Sequence, residues 1–216
     1  MTGEGVRLAA GFVLAGGRSS RMGRDKALVE FRGRPLIELA VSTLRAAGLD
    51  VRIAGSRSAL DLYGEAVIDG FTDAGPLGGV EAALRDSRAE WNVFLPVDMP
   101  LMPTGLIEIL VERARLTGVA VTLASLRGKL EPFPVVLNQD ALGLIVERLK
   151  GGLAGCQSAW RALGEIGGMD LVAVEALVQC GRCVHEEGWP AHWWFEGANT
   201  PGELGWMEKQ LLTTSR

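Results

Sequence analysis

The sequence predicts an α/β fold in which a doubly wound, mostly parallel sheet carries helices on both faces. Short apolar runs, such as AAGFVLA at 9–15 and NVFLPVD at 92–98, alternate with longer amphipathic stretches, such as PLIELAVSTLRAAG at 35–48. The short runs are apolar throughout, which is typical of parallel strands that are buried on both sides. Strands and helices that alternate in this way build a sheet from βαβ units.

The other elements follow the same alternation as far as about Gly151. Further strands are expected at 51–55, 65–69, 118–125 and 133–138, and further helices at 76–87, 103–118 and 140–152. Pro76 lies near the first turn of its helix, where the missing N–H costs little, and Gly118 follows the end of the next helix. We expect residues 1–216 to form a single domain whose part beyond about residue 151 is less regular.

Composition limits the classes of partner. The chain has 216 residues, with 22 Lys and Arg against 26 Asp and Glu, and a net charge of -4. Nucleic-acid binding over a whole surface needs a basic face, so we expect no nucleic-acid partner and only a local anion site. No apolar run reaches the ~18–20 residues that span a bilayer, and Glu4 lies where a secretory leader would be basic. Since three cysteines also make no disulfide framework, we expect a cytoplasmic protein without a membrane partner.

Glycine and basic residues are concentrated directly after the first strand, in LAGGRSSRMGRDKAL at 14–28. A glycine-rich turn between a strand and a helix lets backbone N–H groups converge on an anion, and Arg21 and Lys26 would place charge on phosphate oxygens. Gly17 and Gly23 are one residue too far apart for a Walker loop, and there is no GxGxxG motif. The stretch therefore predicts a nucleotide-phosphate site of another geometry, with a solvated loop as the alternative.

Two carboxylates follow predicted strands, and ligands of open α/β sheets bind beyond the carboxyl ends of the strands. Asp98 ends NVFLPVD, and Asp69 ends EAVID. A carboxylate at this place suits Mg²⁺, which proteins bind through one or two carboxylates together with substrate phosphates. Asp98 is the candidate magnesium ligand. A helix cap is the alternative, because Pro100 and Pro103 follow closely.

The stretch at 14–28 resembles the signature of nucleotidyltransferases with a Rossmann-like, nucleotide-diphospho-sugar transferase-like fold. More specifically, the RMGRDKAL tail and the LAGG that precedes it resemble the molybdenum cofactor guanylyltransferases. Further segments are similar to that family in order and approximate spacing: GRPLIELAVSTL at 33–44, GPLGGVEAAL at 75–84, LPVDMPLMP at 95–103 and NTPGEL at 199–204. The resemblance extends over most of the chain.

This resemblance implies a Mg²⁺-dependent transfer of GMP from GTP to molybdopterin, which releases pyrophosphate and forms the guanine dinucleotide cofactor. It implies that Arg21, Lys26 and Asp98 act in catalysis, that Asp98 binds the metal and that Asn199 contacts the acceptor. The residues expected to contact the nucleotide are Leu14, Ala15, Gly16, Gly17, Lys26, Asp69, Gly75, Gly78 and Asp98. Molybdoenzymes or cofactor carrier proteins are the protein partners that the resemblance implies.

Two departures from the family leave other functions open. Ala54 and Gly55 stand where the family has an asparagine that contacts the base, and Gly197 replaces the first asparagine of an N-x-N-T-P arrangement on the acceptor side. The alternative enzymes are a cytidylyltransferase for the same cofactor and a sugar-1-phosphate nucleotidyltransferase. A nucleotide-binding scaffold without turnover is the alternative from another class.

The C-terminal third contains residues that lie outside these motifs. Cys180, Cys183, His185 and His192 could supply three or four zinc ligands, but a single CxxC is a weak signal, and packing is the preferred interpretation. The same region contains several tryptophans, Trp189, Trp193, Trp194 and Trp206. A pterin could stack on these rings, although filling of a local core is the preferred interpretation.

Overall fold

Nine strands and seven α-helices occur in the residues that the computed structural model describes, which are 8–16, 25–55, 58–68, 70–71, 74–153, 155–198 and 200–214. The strands are β1 Ala9–Leu14, β2 Glu30–Phe31, β3 Arg34–Pro35, β4 Asp50–Ala54, β5 Glu65–Val67, β6 Trp91–Pro96, β7 Val121–Leu126, β8 Lys129–Asn138 and β9 Met169–Ala173. The helices are α1 Leu36–Ala46, α2 Gly75–Asp86, α3 Thr104–Thr117, α4 Leu142–Lys150, α5 Cys156–Gly167, α6 Val174–Gln179 and α7 Pro201–Thr214. The strands and helices predicted up to residue 152 are all present.

One sheet contains seven of the strands, in the order β5-β4-β1-β6-β8-β7-β9. β1 pairs in parallel with β4 on one side, where Leu14 is opposite Ala54, and with β6 on the other side, where Leu14 is opposite Pro96. β5 continues the parallel part beyond β4, and β2 and β3 form a separate antiparallel pair. The carboxyl ends of β1, β4, β5 and β6 therefore lie at the same edge of the sheet.

The chain reverses its direction across the sheet after β5, and this places helices on both faces. It runs outward from β1 through β4 to β5 and then crosses back to β6, on the other side of β1. Because such crossovers are right-handed, α1 and α2 lie on opposite faces. α1 packs on β1 and β4 beside α3, whereas α2 packs on the same strands beside α4. The predicted doubly wound α/β fold is confirmed, and its switch point lies between β1 and β6.

α1 shows how the sequence produces these layers. Leu36, Ile37, Ala40, Val41 and Leu44 recur at helical spacing, and each is at most 4% exposed. They form the apolar stripe that faces β1 and β4. Burial of such side chains, at about 25 cal/mol per Å² of apolar surface, is the main contribution that holds the helix on the sheet.

β8 runs antiparallel to both of its neighbours, β6 and β7, so this side of the sheet departs from the parallel pattern. The turn that joins β7 to β8 consists of Arg127 and Gly128, with φ of 53° and 72°. A turn of two residues with positive φ joins antiparallel strands, because a parallel connection needs a crossover of a dozen or more residues. The first residues of β8 consequently lie at the edge where β1 and β6 end.

The part beyond Gly151 is more regular than its sequence pattern indicates. β9 pairs in parallel with β7, and α5 packs on β7, β8 and β9. Trp160 and Trp194 are almost fully buried in this region, at 0% and 1% exposure. Trp160 lies on the buried face of α5 together with Ala159 and Leu163, so aromatic rings here occupy space that aliphatic side chains fill elsewhere. No helix within the described ranges is both long and apolar enough to cross a membrane.

Candidate active site

Backbone hydrogen bonds join the ends of β1, β4 and β6 at the edge where a ligand is expected. The N–H of Ala15 donates to the carbonyl oxygen of Ala54 at 2.9 Å, and the N–H of Val97 donates to that of Leu14 at 3.1 Å. Leu14 and Ala15 are buried, whereas Gly16 is exposed. The chain leaving β1 is thus held between its two neighbours at the switch point, where α/β sheets usually bind ligands.

Gly16 lies directly against Gly55 at the end of β4. Gly55 has φ of +77°, and a Cβ added there would lie 2.4 Å from the Cα of Gly16. An L side chain is therefore excluded both by conformation and by space. The preceding Ala54 is 1% exposed. Neither position offers a side chain to a base, so the described end of β4 presents only backbone.

Lys26 and Asp98 are brought together although 72 positions separate them in the sequence: Lys26 Nζ donates to Asp98 Oδ2 at 2.6 Å. Lys26 begins a short 3₁₀ turn, Lys26–Leu28, which Asp25 caps by accepting from the N–H of Ala27 at 3.1 Å. The two paired side chains are 19% and 23% exposed. A cation and a carboxylate therefore meet at the ligand edge and remain open to solvent, which agrees with their predicted places.

Asp98 does not cap the helix that follows it, so the helix-cap alternative is wrong. α3 begins at Thr104, and its N-cap residue, Pro103, makes no side-chain cap hydrogen bond. The N–H of Thr104 donates instead to Glu186 Oε1 at 3.0 Å. The Asp98 carboxylate is left for Lys26 and a ligand, while its backbone carbonyl accepts from the N–H of Ala198 at 2.9 Å.

The chemistry of Asp98 fits a magnesium ion. Oδ2 contacts Lys26, and no described residue donates a hydrogen bond to Oδ1. Among the described residues, no group of three or more His, Cys, Asp and Glu side chains could hold a metal. Such a donor set suits a cation that is bound by one carboxylate and takes its other ligands from substrate phosphates and water. Asp98 is the described residue that would hold it.

The first turn of α2 reaches the same edge through a run of glycines. Gly75 is exposed, with φ of +60° and nothing within 4 Å of an added Cβ, so its backbone is open to a ligand. A Cβ on Gly78 would lie 2.9 Å from the Cβ of Ala74, and one on Gly79 would lie 3.3 Å from Leu14 Cδ2. Gly78 and Gly79 thus allow close packing within the protein, whereas Gly75 presents backbone to open space.

The structure brings together Leu14, Ala15, Gly16, Lys26 and Asp98, with Gly75 at the neighbouring helix start. Gly78 is buried in the first turn of α2, where it packs against Ala74, and its predicted contact with the nucleotide stays a prediction. The remaining predicted site residues lie outside the described residues, and their roles also stay predictions: Gly17, Arg21, Asp69 and Asn199.

An ion pair beside this edge was not predicted. Glu81 on α2 is fully buried and bonds to Arg85, which is one turn later and half-exposed. A Cβ on Gly70 would lie 2.6 Å from Arg85 Nη1, so the pair packs against the chain that follows β5. The signal was present in the sequence, because Glu81 shares a helical face with the buried Leu77 and Leu84.

The described cysteines and histidines do not form a metal site. Cys183 is buried and Cys180 is exposed, and the Nδ1 of His185 accepts from the N–H of Glu187 at 3.0 Å. Burial, followed by the charges of Glu186 and Glu108, raises the pKa of Cys183 to about 11. This thiol is therefore protonated at neutral pH, which favours the packing interpretation.

The tryptophans divide into a buried pair and a stacked pair. Trp189 and Trp194 are buried, and Trp194 Nε1 donates to the carbonyl oxygen of Trp189 at 2.8 Å. Trp193 and Trp206 stack with their centroids 5.2 Å apart, and Trp206 is 54% exposed. The first pair fits the local-core interpretation.

A doubly wound sheet with a lysine–aspartate pair and glycine backbone at its switch point defines an enzyme of the nucleotidyltransferase class. The family model of the MobA-like NTP transferase domain matches residues 11–167, and the chain belongs to this family.

Curated relatives agree with this assignment. A probable molybdenum cofactor guanylyltransferase from Opitutus terrae is 38% identical over 172 residues, covering 76% of this chain and 84% of that protein. A molybdenum cofactor guanylyltransferase from Xanthomonas euvesicatoria pv. vesicatoria is 44% identical over 99 residues, covering 45% of this chain and 50% of that protein. The match thus spans about half the length of several curated relatives.

The architecture is shared with molybdopterin-guanine dinucleotide biosynthesis protein A from Archaeoglobus fulgidus, with a TM-score of 0.75 at 20% identity, over 94% of this chain and 99% of that chain. It is also shared with a nucleotidyl transferase from Methanothermobacter, with a TM-score of 0.70 at 17% identity, over 96% of this chain and 99% of that chain. At these identities the likeness establishes the fold.

Proposed function

We propose that the protein transfers GMP from GTP to the terminal phosphate of molybdopterin in a Mg²⁺-dependent reaction. The observation that carries the proposal is the 2.6 Å contact between Lys26 Nζ and Asp98 Oδ2 at the switch point of the sheet. It places a cation suited to phosphate beside a carboxylate suited to magnesium. The names of the relatives support the choice of nucleotide and acceptor.

The nucleotide would lie across the strand ends. The exposed backbone of Gly16, which packs on Gly55, would contact the nucleotide there. The exposed first turn of α2 at Gly75 lies at the same edge. A helix N-terminus and exposed glycine backbone favour phosphate. Lys26 would then contact the phosphates, and we keep Arg21 as a second phosphate ligand, Asp69 as a nucleotide contact and Asn199 as an acceptor contact.

In the reaction, an oxygen of the acceptor phosphate attacks the α-phosphorus of GTP in line. The bond from the α-phosphorus to the oxygen that bridges to the β-phosphate breaks, and pyrophosphate leaves with the bonding electrons. Because the attacking phosphate is already ionised at neutral pH, no general base is required. The protein's contribution is positioning and neutralisation of charge: Lys26 would neutralise charge on the phosphates, and Asp98 would hold the magnesium ion in position. Bound Mg²⁺ would neutralise charge on the transferred and leaving phosphates.

A specific observation favours a second candidate, cytidylyl transfer to the same acceptor. Ala54 is buried and Gly55 cannot carry a side chain, so the described end of β4 holds no side-chain group that would select guanine. A sugar-1-phosphate acceptor is the other alternative, since Gly197 replaces a family asparagine on the acceptor side.

We further propose that residues 1–216 act as one domain in the cytoplasm, and that the product passes to molybdoenzymes or cofactor carrier proteins. The continuity of the sheet supports the single domain, because β9 and α5 extend the same sheet that forms the nucleotide edge.

Calorimetric titration of GTP, CTP, ATP and UTP with Mg²⁺ tests the proposal in the wild type, in Asp98→Asn and in Asp140→Asn. We expect preference for GTP and a loss of about tenfold or more in affinity for Asp98→Asn, which corresponds to about 1.4 kcal/mol. Asp140→Asn is the matched control, because Asp140 is an exposed aspartate after β8, at the opposite edge of the sheet. It should bind like the wild type.

Other outcomes separate the alternatives. A preference for CTP would replace the guanylyl assignment by the cytidylyl one, and no preference among bases would remove the assignment of GTP. Nucleotide binding without pyrophosphate release, when molybdopterin is added, would favour the scaffold. Equal binding by the wild type and Asp98→Asn would refute the metal role of Asp98.

A further inference from the structure

We propose that Lys26 is a specificity-determining residue for the metal site at Asp98: it opposes a divalent cation that arrives alone and gives way to one that arrives with a nucleotide. This inference rests on the proposed function. Lys26 Nζ lies 2.6 Å from Asp98 Oδ2, and a Mg²⁺ ion would lie about 2.0–2.1 Å from a ligating oxygen. A metal ion on this carboxylate would therefore lie close beside the ammonium group, and the two positive charges repel each other.

The ion pair joins two segments that are anchored independently of it. Lys26 begins a 3₁₀ turn that the side chain of Asp25 caps, and the backbone carbonyl of Asp98 accepts from the N–H of Ala198 at 2.9 Å. Both backbones are thus held by bonds that do not involve the pair. The lysine side chain has a flexible four-carbon stem. The pair can therefore open by rotation of this stem, while the carboxylate stays at the edge of the sheet.

Partial burial strengthens the effect of the ammonium group on the carboxylate. The side chains of Lys26 and Asp98 are 19% and 23% exposed, whereas those of the surface pair Arg34 and Glu38 are 47% and 42% exposed. Water and salt screen a partly buried pair less than a surface pair. The charge of Lys26 should therefore influence which other cations Asp98 can bind, and the remaining exposure leaves the pair within reach of a ligand.

A nucleotide would reverse this competition. Its phosphate oxygens are good acceptors for an ammonium group, and the exposed backbone of Gly16 and Gly75 lies at the same edge of the sheet. Lys26 would move its hydrogen bond from Asp98 Oδ2 to a phosphate, and Oδ2 would then be open to the cation that the phosphates carry. Metal and nucleotide would consequently increase each other's affinity, which is a thermodynamic coupling within one site.

The competition predicts effects of opposite sign for the two ligands when the charge of Lys26 is removed. The affinity for a divalent cation alone should rise, because a positive charge near a carboxylate changes its affinity for another cation about tenfold or more. The affinity for the nucleotide with its metal should fall, because a charged contact with phosphate is lost. General damage to the structure would lower both affinities.

The test uses Mn²⁺ as the probe, because it takes the same oxygen ligands as Mg²⁺ and the electron paramagnetic resonance of the free ion measures binding directly. Lys26→Gln removes the charge, and Lys26→Arg keeps it. Lys150→Gln is the matched control, because Lys150 is an exposed lysine at the end of α4. We expect Lys26→Gln to bind Mn²⁺ alone about tenfold more tightly than the wild type, and GTP with saturating Mn²⁺ about tenfold less tightly. Lys26→Arg and Lys150→Gln should bind Mn²⁺ alone like the wild type.

A double variant assigns the gained affinity to this site. Lys26→Gln combined with Asp98→Asn should lose the increase in Mn²⁺ affinity, and a gain that persists would overturn the inference. A folded Lys26→Gln protein that binds Mn²⁺ alone no more tightly than the wild type would overturn it as well. Thermal midpoints verify folding, and Lys26→Met replaces Lys26→Gln if the latter is unfolded. Failure of the wild type to bind GTP with Mn²⁺ would instead refute the proposed function itself.

Discussion

Gly16 and Gly55 have no Cβ atoms, and this allows the ends of β1 and β4 to pack directly against each other at the edge where the nucleotide is proposed to bind. Gly55 has positive φ, and its Cα–H points at the backbone of Gly16 so closely that a methyl group would overlap it. The pair makes the ends of β1 and β4 flat, so a ligand can approach the exposed backbone of Gly16. A base in this position would be read by backbone groups or by residues elsewhere.

Gly55→Ala is expected to lower the free energy of unfolding by about 2 kcal/mol or more and to weaken GTP binding. A left-handed conformation costs an L residue roughly 1–2 kcal/mol, and displacement of Gly16 adds to this. Gly118→Ala is the control, because Gly118 also has positive φ, at +67°, but has nothing within 4 Å. Urea unfolding and GTP titration measure both effects. Equal losses in the two variants would show that the contact with Gly16 is unimportant.

Among the elements, α2 combines an open first turn with a charge on its buried face. Glu81 is fully buried and is held by Arg85, whose guanidinium lies against Gly70. The pair therefore connects the helix to the chain that follows β5. A buried carboxylate is tolerated when charged partners satisfy it, and removing one partner is then unfavourable.

Arg85→Ala is expected to lower the free energy of unfolding by about 1.5–3 kcal/mol, the range for hydrogen bonds to charged groups. The control is Arg34→Ala. Arg34 and Glu38 are also four residues apart, but both are exposed, and such pairs contribute about 0.2–1 kcal/mol. Thermal or urea unfolding of both variants measures the difference. A loss for Arg85→Ala no larger than that for Arg34→Ala would contradict a stabilising role of the buried pair.

The elements that sequence predicts well are those with local signals. α1 has a regular apolar stripe, and β6 is an apolar run. The position of Asp98 directly after β6 was enough to predict that it lies at the ligand edge, beside the glycine-rich, basic stretch at 14–28. The antiparallel direction of β8 was not recognised, although Arg127-Gly128 is a turn signal. β9, α5, α6 and α7 were missed, although α5 carries an apolar face formed by Ala159, Trp160 and Leu163 that the sequence contained.

The contacts of residues 183–198 could not be predicted for a different reason. Glu186 and Thr104, which share a hydrogen bond, are distant in the sequence, and neither belongs to a pattern that indicates the other. The cysteine and histidine spacing suggested zinc or simple packing, whereas the structure uses the histidine as a hydrogen-bonding group. Hydrogen bonds between distant loops depend on the completed fold, so no local periodicity reports them.

For the whole molecule, His185 makes stability depend on pH in a predictable direction. Burial lowers its pKa below the ordinary value of 6.5, so on acidification the unfolded chain takes up the proton first. The stability of the fold is therefore expected to fall as pH decreases below about 6.5 and to level off once the folded histidine is protonated. Thermal midpoints between pH 7.5 and about pH 5 should decline less in His185→Gln than in His192→Gln. Parallel curves would exclude His185 as the cause.

Glu131 gives the opposite dependence. Burial, and then the charge of Glu196, raises its pKa above 4.5, so the unfolded chain ionises first as pH rises. Ionised Glu131 thus disfavours the fold at neutral pH, and the effect disappears below about pH 4.5. Glu131→Gln is expected to raise the thermal midpoint at pH 7 and to leave it nearly unchanged near pH 4. Glu165→Gln, at an exposed position on α5, should change neither value. A lower midpoint for Glu131→Gln at pH 7 would contradict this.

The stacked indole rings of Trp193 and Trp206 should give the folded protein a characteristic signal in circular dichroism. Their rings lie 5.2 Å apart and within 14° of parallel, one in the 3₁₀ turn Ala191–Trp193 and the other on α7. Two indoles in such contact share their electronic excitations, so circular dichroism of the folded protein should contain an exciton couplet that Trp206→Phe removes. Loss of this couplet while the sheet signal persists would report release of α7 from this 3₁₀ turn, without any label or substrate.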